Sequence, residues 1–345
     1  MRYLRFRDRR ALIDRQRQGG AALIVAMLIF ALAAALVVAM KSEFNRYYQR
    51  SANILSDAQV QAYLRAGEEL AGMVLKTDYD QDKQNEIPRD DLTEIWNSDE
   101  VKQPMPLEGV GWIKGELQDL QGLFNLNLLA ERIAREPGQP RKFTPQQQQF
   151  IRLLQALGEP ALSQQEAIVI ADAISDWLDE DQEPALNGAE DTYYSGLTPA
   201  YRPPNRSLTS VSELRAVANM TPEIYAALAP WVAALPESTT LNIHTAPPMV
   251  LRSINEDDNL NPLTEEEGEA LRNSEYQDKK AFLESPVFAN KKEKMEGASA
   301  LLGESSDYFL LSATAKVADR EMRLYSVLQR RDRVVGSISR ANGSL

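Results

Sequence analysis

Residues Ala21 to Met40 read AALIVAMLIFALAAALVVAM, twenty consecutive positions without a charged or hydrogen-bonding side chain. A helix rises about 1.5 Å per residue, so this run is roughly 30 Å long, the thickness of a bilayer's hydrocarbon core. A buried helix in a water-soluble domain keeps a polar side, and this stretch has none. The segment predicts a membrane span, and the rest of the chain has to be compatible with one.

Its flanks predict an orientation. Residues 1–20 hold seven arginines (Arg2, Arg5, Arg7, Arg9, Arg10, Arg15 and Arg17) against Asp8 and Asp14, a net +5. The whole chain carries −12, so the remainder carries −17. Basic residues ahead of a span stay in the cytoplasm and leave the bulk of the chain on the far side. A cleaved secretory signal would have a shorter apolar run and a small-residue site behind it. Here Lys41, Glu43, Asn45 and Arg46 follow Met40 and continue a helix. Leu55, Val60, Tyr63, Leu64, Gly67, Leu70, Ala71 and Val74 then recur three and four apart, the mark of a one-sided helix. No proline or turn cluster interrupts 21–76, so the pattern predicts one helix, apolar all round at first and one-sided later.

Several chemistries are excluded outright. The acidic balance argues against general nucleic-acid binding, which needs a basic face for phosphates. The chain has no cysteine, which removes disulfides, thiolate catalysis and cysteine-ligated zinc. Its one histidine, His244, rules out multi-histidine metal sites.

Gln18-Gly19-Gly20 followed by Ala21-Ala22-Leu23-Ile24 resembles the processing site of type IV prepilins and type II secretion pseudopilins. In that family a prepilin peptidase cuts after a glycine between a basic leader and the apolar helix, which leaves the helix attached as an anchor. The resemblance implies a cut between Gly20 and Ala21, with a cut after Gly19 as the alternative. Most pilins carry glutamate as the fifth mature residue, where it is thought to pair with the terminal amine of the subunit ahead. Val25 stands there in this chain. A subunit without that carboxylate suits the tip, where no subunit lies ahead. The omission and the length resemble the K-type minor pseudopilins.

The remainder reads as α+β. Residues 78–108 look like a polar, proline-punctuated surface loop. Val110–Leu120, Tyr308–Val317, Met322–Gln329 and Val334–Ser339 read as strands, the middle pair joined across 318–321. Between the two groups of strands, Pro145–Leu157, Gln164–Leu178, Val211–Ala218, Pro222–Leu235, Pro248–Ile254 and Thr264–Asn273 read as helices. Thr144-Pro145 and Thr221-Pro222 supply caps with proline at the first position, and Ser163 and Ser210 are further caps. The expected fold is pilin-like: a long N-terminal helix packed on a small antiparallel sheet, with a large inserted all-α domain. Its parts are a cleaved leader at 1–20, the helix at 21–76 with 21–40 in the membrane, a discontinuous α/β domain at 77–124 and 305–345, and an insertion at 125–304. Phe124–Asn127, Leu208–Val217 and Leu241–Ala246 also resemble segments of the K family.

One polar cluster stands out: Asp176 to Glu183 (DWLDEDQE), then Asn187 to Asp191 (NGAED). Hard cations such as calcium take six to eight oxygens, and a helix end followed by an acidic loop can provide them. The residue types suit a solvated acidic loop equally well, and the spacing is not that of an EF-hand. The family resemblance includes this stretch and implies a structural calcium. Asp179, Asp181 and Asp191 are its foremost candidate ligands, with Asp176 and Glu190 next.

Catalysis finds little support. Asp179 and Asp181 have no nucleophile or sugar platform nearby beyond Trp177, which falls on its helix's apolar face. His244 lies in an LNxxTA turn where it caps or packs, and no Gly-rich phosphate loop is present. The helices over Leu208–Leu235 resemble a helix-hairpin-helix, but their Ala218-Asn219-Met220-Thr221 connection lacks glycine, so a scaffold without nucleic-acid function is expected. The family resemblance implies a non-enzymatic subunit of a periplasmic pseudopilus tip. Its partners would be other minor pseudopilins, the prepilin peptidase, the inner-membrane secretion platform and secreted proteins. The rivals are a membrane-anchored periplasmic enzyme or chaperone with an uncleaved helix, and a DNA-uptake or DNA-binding protein using the hairpin-like helices, which the −17 charge disfavours.

Overall fold

The computed structural model describes residues 19–107, 111–133, 138–236 and 238–343. The arginine-rich leader up to Gln18, and Val110 at the start of an expected strand, lie outside them. One helix, α1 (Gly19–Asn85), opens the described chain. The molecule divides into a unit ending at Gln59 and a unit from Val60 onward.

In the first unit every side chain from Gly20 to Leu55 is exposed. Phe30 is 76% exposed and Val38 68%, an arrangement of apolar side chains that water does not tolerate and lipid does.

In the second unit α1 becomes one-sided. Val60, Leu64, Ala71 and Leu75 are buried against Ile113, Leu117, Phe309, Leu311, Ala313, Leu324 and Leu328. Burying each of the larger of these side chains contributes about 1.5–3 kcal/mol. Gly67 sits where a Cβ would come within 2.7 Å of Ile113 Cδ1, so the lack of a side chain sets how closely helix and sheet approach.

The sheet has five antiparallel strands in sequential order: β1 (Met105–Leu107), β2 (Gly111–Asp119), β3 (Tyr308–Val317), β4 (Arg320–Arg331) and β5 (Val334–Asn342). Leu117 pairs with Leu311, and Ala313 with Leu324, which places the inward residues of β2, β3 and β4 in rows under α1. The expected four-residue connection at 318–321 is shorter than the sequence implied. Arg320 and Glu321 pair with Val317 and Lys316, leaving Ala318-Asp319 as a two-residue hairpin. Such hairpins need positive φ to match the strand twist, and Ala318 adopts φ 51°.

The surface loop expected over 78–108 is partly ordered secondary structure. Residues 77–85 contain no helix breaker, so α1 runs to Asn85 and ends at Glu86, whose φ is 57°. A 3-10 turn at Ile95–Asn97, one helical turn at Asp99–Lys102 and β1 follow.

Between β2 and β3 lies a helical block with its own core, in which Phe124, Leu126, Phe150, Leu154, Ile174 and Trp177 pack together. Its principal helices are α2 (Pro145–Ala156), α3 (Gln164–Leu178), α4 (Pro222–Leu228) and α5 (Glu265–Asn273). Thr144, Ser163 and Thr264 close reciprocal capping boxes with Gln147, Glu166 and Glu267, satisfying first-turn donors.

Three expected helices are shorter than their pattern. The helix expected over Pro222–Leu235 stops at Leu228, because Pro230 has no N–H for the next turn. Val232–Ala233 instead pairs in parallel with Phe124–Asn125. The stretch Val211–Ala218 forms only a 3-10 turn, Val211–Ala216, and Asn219 supplies the left-handed residue (φ 64°) before α4. Pro248–Ile254 likewise reduces to one turn, Pro248–Leu251.

Block and sheet are joined through Asp119 at the end of β2. Its buried carboxylate accepts hydrogen bonds from Thr245 Oγ1 at 2.5 Å, Ser306 Oγ at 2.6 Å, Asn242 Nδ2 at 3.1 Å and the Gln121 amide at 2.7 Å. Burial pushes this carboxyl up to about 6, with the Ser306, Thr245 and Gln121 donors working against it.

Candidate functional site

The acidic stretch sits at the C-terminal end of α3. Residues three and four apart share a helix face, so Asp172 and Asp176 both point inward from the last turns. Asp172 is held by Arg141 Nη1 at 2.7 Å and by the Asn187 amide at 3.3 Å. Asp176 takes Arg132 Nη1 at 2.5 Å and the Ala185 amide at 3.0 and 3.1 Å. Asp179 caps the helix end, and the chain turns back over it through Asp181 to Glu190. Gly188 is required for that return, because a Cβ there would lie 1.8 Å from Asp176 Oδ2.

The loop brings Asp179, Asp181 and Glu190 together, with one oxygen from each within 4.8 Å of the others. Glu190 is 5% exposed, and neither of its carboxylate oxygens has a hydrogen-bond partner among the described residues. Arg132 Nη2 lies 2.6 Å from Asp179 Oδ2 and 3.4 Å from Asp181 Oδ2. Its approach to Asp179 is an ion pair outside hydrogen-bonding geometry. Asp181 is more exposed, and its Oδ1 accepts the Glu183 amide at 2.8 Å.

Among the described residues, one guanidinium thus serves three aspartates and no cation pairs with Glu190. Burial raises Glu190 to about 7, reinforced by Asp176, Asp179 and Asp181. Asp176 and Asp179 are each raised to about 6, again by burial first. A buried carboxylate with no side-chain donor among the described residues, facing two more carboxylates, suits a hard cation bound through oxygens. Of the other sequence candidates, Asp176 is committed to Arg132 and Ala185. Asp191 opens the turn Asp191–Ser195 and faces Arg202 Nε at 3.6 Å. The loop is backed by aromatic rings, Trp177 against Tyr194 at 5.3 Å and Tyr194 against Tyr201 at 5.3 Å.

The processing candidates Gly20 and Ala21 lie in the first turn of α1 and are exposed. His244 packs in its turn: its amide donates to Asn242 Oδ1 at 3.0 Å and its carbonyl accepts from Arg272 at 2.7 Å. Burial and nearby Arg89 hold its imidazole below the ordinary value.

Sequence reasoning missed a second charged cluster. Arg330 of β4 is 4% exposed and bridges Asp78 of α1 (3.0 Å), Asp90 and the Ser306 carbonyl (2.9 Å). The signal was present, because Leu324, Ser326, Leu328 and Arg330 alternate on the inward face of one strand. Asp78 likewise falls on the Val60–Leu75 face of α1.

A family model described as "Type II secretion system (T2SS), protein K" matches residues 122–237. The type II secretion system protein K of Aeromonas hydrophila is 31% identical over 343 residues, covering 95% of this chain and 98% of that protein. The protein of the same name from Pseudomonas aeruginosa is 34% identical over 323 residues, covering 92% and 90%. A chain from the crystal structure of the GspK-GspI-GspJ complex of enterotoxigenic Escherichia coli superposes with a TM-score of 0.72 at 24% identity. That match covers 86% of this chain and all of the other, and it shows the shared fold. The chain belongs to the type II secretion system protein K family, the K-type minor pseudopilins.

Proposed function

We propose that this minor pseudopilin is stored in the inner membrane by its Ala21–Met40 helix, N-terminus in the cytoplasm and bulk in the periplasm, and then caps or initiates the pseudopilus tip. The observation that carries this reading is α1 itself: 67 residues without a break, lipid-compatible on all sides at its start and one-sided from Val60. A helix of that kind can be an anchor before assembly and a packing element after it. Cleavage between Gly20 and Ala21 by the prepilin peptidase would free the terminus without detaching the anchor. Val25 in place of a carboxylate agrees with a position that has no subunit ahead. The helical block over 125–304 is the bulky part that a tip accommodates and a fibre interior does not.

Partners follow from the solved relative, which was crystallised with two other pseudopilins. We infer that this chain assembles with its own I- and J-type subunits, and that the secretion platform and exported proteins meet it in the same apparatus. The reading is non-catalytic: the one histidine is packed in a turn, and the acidic loop has no nucleophile beside it. Co-expression of the full-length chain with its I- and J-type subunits, followed by size-exclusion chromatography in detergent, tests the assignment. A stable ternary species is expected. A K-type chain that elutes alone in the presence of both would overturn it.

The acidic loop is read as structural. Asp179, Asp181 and Glu190 would hold a calcium ion whose charge offsets their repulsion and fixes the 179–191 loop. A ligand bound only by the folded state stabilises it by about 2.7 kcal/mol at a hundredfold excess over Kd. Calcium is therefore expected to raise the thermal midpoint, with a chelator reversing the rise, and Glu190→Ala to abolish the effect. An equal midpoint with and without calcium would remove the ion from the account.

A further inference from the structure

The segment 86–98 that leaves α1 lies as a strap across the end of the helix and the sheet. Trp96 anchors it, 1% exposed, with its ring edge-on to Phe309 at 5.4 Å. Asp90 ties it further: its amide donates to the Glu304 carbonyl at 2.9 Å, its carboxylate accepts the Ser306 amide at 2.7 Å, and Arg330 pairs with it. Trp96 Nε1 also donates to Glu94 Oε2 at 2.7 Å, which turns the Glu94 carboxyl inward.

Inward is where three other carboxyl groups lie. Asp78, Asp82, Asp90 and Glu94 each place an oxygen within 4.8 Å of the others. Arg330 bonds only Asp78 and Asp90 among them, and Arg89 is engaged with Asp91 at 3.1 Å. The charged groups around the cluster are Asp78 and Asp82 from α1, Arg89, Asp90 and Asp91 from the strap, and Arg330 from β4. Asp119 adds to the field at Asp90, and Glu304 lies on the far side near His244 and Arg89. Four ionised carboxylates around one guanidinium leave three uncompensated negative charges in a half-buried space. Groups packed so closely do not all ionise together.

We propose that Glu94 keeps a proton shared with its carboxylate neighbours at neutral pH, and that this proton latches the strap onto α1. Losing it turns an attractive carboxyl–carboxylate contact into repulsion between strap and helix. The strap then lifts and uncovers Trp96, one wall of the cleft of about 530 Å3 that Leu92, Trp96 and Asn97 line together with Trp231 and Leu123.

The electrostatics of the cluster agree. Burial raises Glu94 to about 9, with Asp78 the strongest like charge and the Trp96 hydrogen bond working against the rise, and burial raises Asp78 and Asp82 to about 7 and about 6. A carboxyl with a raised folded-state value binds more protons folded than unfolded, so its contribution is present in acid and is lost as pH rises through about 9.

Infrared spectroscopy of the full-length chain in detergent tests the latch, combined with amide-exchange protection of residues 86–98. At pH about 8 the wild type should show a protonated-carboxyl C=O band that titrates away by about pH 10, with strap protection falling in step. In Glu94→Gln that band should be missing and strap protection should no longer depend on pH over this range. Asp82→Asn, a half-exposed change that leaves Trp96 and Arg330 in place, should move the titration to lower pH by removing one like charge. A wild type without the band, a band that persists in Glu94→Gln, or strap protection indifferent to the titration would each overturn the proposal. An unshifted titration in Asp82→Asn would do the same.

Discussion

Arg330→Ala lowers the stability of the folded unit by about 3–5 kcal/mol, the cost of leaving a buried charge without its partner. Two carboxylates are affected, since Asp78 and Asp90 are 2% and 1% exposed and both pair with Arg330. The Ser306 carbonyl loses its guanidinium donor as well. The deficit should narrow on acidification, because protonated Asp78 and Asp90 no longer need a cation. Chemical denaturation of wild type and variant at two pH values measures both effects. Arg330→Lys should recover only part of the loss, because one ammonium cannot reproduce a fork that reaches two carboxylates and a carbonyl.

Arg152→Met is expected to cost about 3 kcal/mol or more by a different route, since removing the donor leaves several buried acceptors unpaired. Arg152 of α2 is 1% exposed and forms no salt bridge with a carboxylate among the described residues. Its guanidinium instead gives hydrogen bonds to the carbonyls of Asn259 (2.6 Å), Glu256 (2.7 Å) and Ser253 (3.2 Å) and to Gln148 Oε1 (3.3 Å). Methionine fills much the same volume without donors, so the loss reports the hydrogen bonds and not a cavity. Amide exchange should show the damage at residues 253–260, with the sheet and α1 keeping their protection. Equal loosening of the sheet would mean that the helical block and the sheet unfold as one.

Much of this architecture was legible because its signals are local. The charge-free run at Ala21–Met40, the alternation in Tyr308–Val317 and the caps at Thr144 and Ser163 each act within a few residues. The shortened elements depended on particular backbone atoms. Pro230 stops α4 through a missing N–H, and β4 gains Arg320 and Glu321 because Ala318 accepts positive φ.

The acidic loop was visible as a cluster, but its arrangement was not. Which carboxylates converge depends on Arg132, some 44 residues before Asp176, and on Gly188 letting the chain return. The Arg330 cluster was harder still. Its acids come from α1 and the strap, about 240 residues before the arginine, and only strand parity pointed inward. Asp119 shows the same limit, since its donor Thr245 lies deep within the helical block and Ser306 lies beyond it.

The central claim is that this chain is a pilin-type precursor whose helix is an anchor first and a fibre element later. Intact-mass and N-terminal analysis of protein recovered from membranes, with and without co-expressed prepilin peptidase, tests it most directly. Peptidase-dependent loss of the leader and a new terminus at Ala21 are expected. A chain that keeps Met1 in the presence of active peptidase, or one cut beyond Met40, would contradict it.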